Sequence, residues 1–186
     1  GTTKTMVESI PQGMMVRRNG KIKAVGRGFE MRTIDFGLGP KRSSVLTWGD
    51  LYTAYWQTRI PNITVYMPLR GSQLEVYLFP LIKLLMSIPF VQKRAMEKAG
   101  KIEGPSAESR VKNSTYVWGE AKNASGKTVA ATIEVSNGYT VTMDGILMTA
   151  DFLRSYQGDG GCFTPSQLMG AELAEQLPGA GKFTLR

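Results

Sequence analysis

Residues 47–68, TWGDLYTAYWQTRIPNITVYMP, hold the side chains of this chain best suited to gripping a small molecule. The Asp50 carboxylate accepts hydrogen bonds, so it can hold an amine or a hydroxyl. Tyr52 and Tyr55 add phenolic donors, Asn62 adds a donor and an acceptor, and Trp48 adds an apolar wall. Trp48, Asp50, Tyr52, Tyr55 and Asn62 are therefore the candidate substrate-binding residues. A structural role competes with this one. Asp50 follows the Gly49 corner and can cap a helix, where its charge meets the favourable end of the helix dipole and contributes ~1 kcal/mol. In that place it would also disfavour a phosphate. Tyrosine can serve as a proton donor, but no lysine sits at a useful spacing, so catalytic residues stay unassigned.

The residue types that are missing are as informative. The chain has 186 residues and no histidine, which excludes Ser-His-Asp and Cys-His chemistry and argues against a zinc or iron site. Its one cysteine, Cys162, forms no internal disulfide and lacks an activating base, as suits a reducing, cytoplasmic setting. Hydrophobic content of 42% and charged content of 20% are ordinary for a globular protein. Length predicts a single domain over 1–186, burying ~70% of the surface its unfolded chain exposes. The chain opens at Gly1 without a methionine, a charged leader or an apolar leader segment, and reads as a piece whose natural N-terminus lies upstream.

The elements that must position these residues follow from local rules. TTKTMVESI predicts a short helix stopped by Pro11 and Gly13. Asn19-Gly20 between two extended runs predicts a hairpin with a type I′ turn. FEMRTIDFG and Ser43–Thr47 predict strands. Asp50 opens a helix to about Thr58, with Leu51, Ala54, Tyr55 and Thr58 on one face and Tyr52 and Trp56 on a neighbouring one. Pro61 forces Ile60 to be extended and ends that helix. NITVYMP alternates as a strand, which predicts a strand–helix–strand crossover of the right-handed kind. Ser72-x-x-Glu75 is a capping box opening an apolar helical region from Leu74 to Val91, kinked or broken at Pro80 and Pro89. A basic helix, a long hairpin around ASG, a helix near Val141–Tyr156 and another at Ser166–Leu177 complete the chain. The class is α+β, with a mixed, largely antiparallel sheet, hairpins and helices packed on it.

Several tempting signals fail on mechanism. AKNASGKT, residues 121–128, resembles a phosphate loop, but β-branched alternating residues follow it instead of a helix, so it reads as a hairpin turn. GRGFEM lacks the last glycine of a dinucleotide fingerprint, and GLGPKR places proline in the tight turn. The chain therefore carries no cofactor-binding residues of its own. The net charge of +8 gathers at Arg17, Arg18, Lys21, Lys23, Arg27 and Arg32, with Lys41 and Arg42 nearby. Without a reading helix or stacking pattern it points away from nucleic acid and toward a solvated face, a partner domain or a small anion. The apolar run 74–91 is interrupted by Lys83 and two prolines, which excludes a spanning helix and leaves core packing, a partner surface or peripheral membrane contact.

IDFGLGP at 34–40, WGDLYTAYWQTRIPNITVYM at 48–67 and CFTPSQLMGAELAEQLPG at 162–179 resemble the saccharopine dehydrogenase-like oxidoreductases, as do GTTKTMVESI and GMMVRRNGKI. The matches run in order along most of the chain and are weakest over 69–114. Two departures stand inside the strongest block: Thr47, where proline is common, and Arg59, where glycine usually precedes Ile-Pro-Asn. The resemblance implies a C-terminal α+β domain of the glyceraldehyde-3-phosphate-dehydrogenase-like type. It also implies an N-terminal Rossmann domain elsewhere that binds NAD(P), a homodimer, and a small-molecule or lipid-like substrate. With the cofactor supplying the hydride step, the domain's task is to orient substrate. Two other classes stay open: a non-enzymatic dimeric interaction module, and a protein that binds lipid or membrane surfaces.

Overall fold

The computed structural model describes residues 2–25, 30–69 and 73–186. Where length predicts one domain, packing gathers the chain into two compact units, one of 1–34 with 41–104 and one of 35–40 with 105–186. Both combine antiparallel strand pairs with helices, so the α+β class holds.

In the first unit, helix α1 (Thr2–Ser9) runs into a 3₁₀ turn (Ile10–Gln12) that closes at Gly13, as the proline and glycine predict. Strands β1 (Met15–Arg18) and β2 (Lys21–Ala24) pair antiparallel with Arg18 opposite Lys21. Asn19 and Gly20 take φ of 52° and 74°, the left-handed pair that a type I′ turn requires. Strand β3 (Met31–Asp35) precedes β4 (Pro40–Val45), which pairs on its other side with β5 (Tyr66–Pro68). Val45, Ile34 and Leu51 form the tightest part of the core, each at most 2% exposed.

Helix α2 (Asp50–Thr58) lies between β4 and β5, but the predicted crossover is not formed, because β5 returns antiparallel to β4. The physical reason is where the chain goes after the helix. Ile63 exchanges both backbone hydrogen bonds with Arg17 of β1, at 2.9 and 3.0 Å, so 61–65 is drawn along the hairpin and enters β5 from the opposite end.

Two helices follow, α3 (Gln73–Met86) and α4 (Pro89–Gly100). Pro80 is accommodated inside α3, while Pro89 starts α4 at the position where its missing N–H costs nothing. The break falls at Ser87–Ile88. Ser72 of the predicted capping box lies outside the described residues, as do Arg27 and most of GRGFEM. Helix α4 packs on α1, and α3 on the 3₁₀ turn.

The second unit is built on a long hairpin, β6 (Thr115–Lys122) with β7 (Thr128–Val135), paired from Thr115↔Val135 to Lys122↔Thr128. Its turn is the phosphate-loop lookalike. Asn123 Oδ1 accepts from the Lys127 amide at 2.9 Å and Gly126 takes φ 88°, the geometry of a turn and not of a helix start. Helix α5 (Ala107–Lys112) precedes the hairpin, capped by Ser106. Helix α6 (Gly138–Ser155) follows it, capped by Asn137 and starting three residues before the expected boundary.

The expected helix over 166–177 divides into α7 (Pro165–Met169) and α8 (Leu173–Gln176). Gly170 at φ 86° stops the first of them. A capping box between Thr164 and Gln167 opens α7. A short strand, β8 (Thr184–Leu185), adds to β7.

The tip between β3 and β4 belongs to this second unit. Asp35 Oδ1 accepts from the amides of Gly37 (2.8 Å) and Gly39 (2.9 Å), its Oδ2 pairs with Arg186 at 3.2 Å, and Phe36 meets Trp118 edge to face.

Candidate functional site

At the start of α2 the structure revises the role expected of Asp50. The N-cap is Gly49, itself helical at φ −56° and ψ −29°, and no side chain caps the helix. The orphan amides are met by backbone instead. Leu51 N–H donates to Trp48 O (3.2 Å), and Tyr52 and Thr53 N–H donate to Gly49 O (2.9 and 3.2 Å). With the Leu51, Tyr52 and Thr53 amides met by backbone carbonyls, the Asp50 carboxylate caps none of them. Asp50 is exposed, in the first turn, with no hydrogen-bond partner among the described residues.

Along α2, Leu51 is 0% exposed and Ala54 and Tyr55 are half-buried, whereas Thr58, predicted on the same face, is exposed, as are Tyr52 and Trp56. What the buried face receives is Arg17 of β1. This arginine is only 6% exposed. Its Nε donates to Leu51 O at 2.7 Å and its Nη1 to Gly20 O at 2.6 Å. The guanidinium lies 4.0 Å from the centre of the Tyr55 ring and 6.0 Å from that of Tyr52, the arrangement of a cation on aromatic faces. The Tyr55 hydroxyl also reaches Gly20, standing 3.3 Å from where a β-carbon would sit.

Asn62 belongs to the same neighbourhood. Its Oδ1 accepts from the Asn19 amide at 3.0 Å, while Pro61 O accepts from the Gly20 amide at 2.9 Å, so the helix–strand connection clamps the hairpin turn. Thr47 has a use that proline could not meet: its hydroxyl accepts from the Met15 amide at 2.8 Å. Arg59 sits at φ 58° as the α2 C-cap. Its guanidinium stacks 4.7 Å from the Trp56 ring.

Next along β1, Arg18 points into a second polar cluster. It pairs with Glu30 at 2.8 Å and donates to Thr64 Oγ1 at 2.8 Å, and the Tyr66 hydroxyl donates to the other Glu30 oxygen at 3.1 Å. Burial, with the Glu30 carboxylate as the second cause, pushes the Tyr66 phenol above its ordinary value. The basic cluster read from sequence is thus not one solvated face. Arg17 is buried, Arg18 is paired, and Lys21 and Lys23 are exposed.

Of the five predicted residues, Tyr52, Tyr55 and Asn62 converge on the Arg17 hairpin. No described hydrogen bond or ring contact ties the Trp48 or Asp50 side chains to them, and both are exposed. Sequence reasoning counted Arg17 as surface charge and missed it as the centre of the group. The available signal was its place in an apolar-flanked strand, MMVRR, directly before the Asn-Gly turn. No cluster of metal-ligating side chains occurs among the described residues. In the second unit, Val141, Gly145, Ile146, Thr149, Leu153 and Pro165 line an open apolar groove of about 500 Å³ on α6. No helix of the described chain is long and apolar enough to cross a membrane. No family model, curated protein or solved structure matches this chain.

Proposed function

We propose that this chain is the C-terminal, substrate-facing and dimerising domain of a saccharopine dehydrogenase-like, NAD(P)-dependent oxidoreductase, inactive alone and working in the cytoplasm. The ordered motifs supply the family. The observation that carries the role is the uncovered apolar surface of two helices. On α3, Tyr77, Leu81 and Leu84 are 71%, 52% and 66% exposed, and on α6, Ile146 and Leu147 are 63% and 66% exposed. Faces of this kind are surfaces that a partner covers. An N-terminal Rossmann domain and a second copy of the chain are the partners the family reading supplies. The finer fold assignment, a glyceraldehyde-3-phosphate-dehydrogenase-like C-terminal domain, is part of this proposal and is supported by antiparallel strands carrying helices.

On this reading the Rossmann domain brings the nicotinamide, and the Arg17–Tyr52–Tyr55–Asn62 group faces the substrate that the cofactor reduces or oxidises. The chain's own residues then bind and orient. Titration of the 186-residue chain with NADPH, followed by cofactor fluorescence, should show no saturable binding. Tight, saturable binding would overturn the proposal. The full reading frame should add about 120 residues or more upstream, including a Gly-x-Gly-x-x-Gly segment between a strand and a helix. A frame that begins near Gly1 would favour the interaction module instead.

A further inference from the structure

We draw no further inference here: the strongest candidate, the apolar elbow where α3 meets α4, with Leu85, Ile88 and Phe90 exposed, adjoins the α3 surface already given to a partner, and nothing in the structure shows what covers it.

Discussion

Arg59 shows how one residue can obey tertiary demands against its own preference. An L-residue in the left-handed region is strained by its β-carbon, and Arg59 is held there because its amide closes the last turn of α2 on Tyr55 O at 2.8 Å. The stack on Trp56 offsets part of that cost. Two substitutions separate these effects. Arg59→Ala loses the stack and keeps the strain, whereas Arg59→Gly loses both. Arg59→Gly should therefore be more stable than Arg59→Ala by about 1 kcal/mol in urea unfolding. Equal stabilities would mean that the backbone at 59 is relaxed. Asp50 teaches the opposite lesson. A residue of cap type does no capping when it stands one place inside the helix and backbone carbonyls meet the amides that follow it.

Among the elements, the turn between β3 and β4 is the clearest case of local chemistry doing tertiary work. The glycines of GLG permit φ of 113° and 86°, and their amides converge on Asp35. The Gly37 amide, chiefly, together with Arg186 and Gly39, holds the Asp35 carboxyl below its ordinary value. A carboxyl lowered on folding stabilises above its ordinary value, and the stabilisation disappears as the pH falls through the lowered one. The Gly37 and Gly39 amide resonances should therefore titrate together with a midpoint below the usual aspartate value of about 3.9. Asp35→Asn should abolish that titration. Amides indifferent to pH in the wild-type chain would remove Asp35 from the turn.

For the whole molecule, the outstanding fact is how much large apolar side chain stays uncovered on α3 and α6. Leu84 and Ile146 are exposed by about two-thirds, so Leu84→Lys and Ile146→Asp should each change folding stability by less than about 0.5 kcal/mol. If these faces join copies of the chain, the same substitutions should lower the association measured by sedimentation velocity. A chain that stays monomeric before and after substitution would remove dimerisation from the proposal. Flotation with anionic liposomes, reversed by salt and lost in Leu84→Lys, would favour the lipid-surface alternative, since Lys93 and Arg94 lie exposed on the next helix, α4.

The sequence by itself determined most of the elements, because their causes act within a few residues. Asn-Gly set the first hairpin, Pro89 started a helix, Thr164 with Gln167 capped another, and β-branched alternation exposed the false phosphate loop. It also gave the aromatic face of α2 and the exclusions that come from lacking histidine. Tertiary structure alone decided that β5 returns antiparallel, that the strand tip 35–40 joins the second unit, and that Arg17 is buried instead of solvated. The physical reason is separation along the chain. Arg17 meets Leu51 across 34 residues and Ile63 across 46. No propensity or spacing rule reaches that far, and only packing can choose which charge is taken inside.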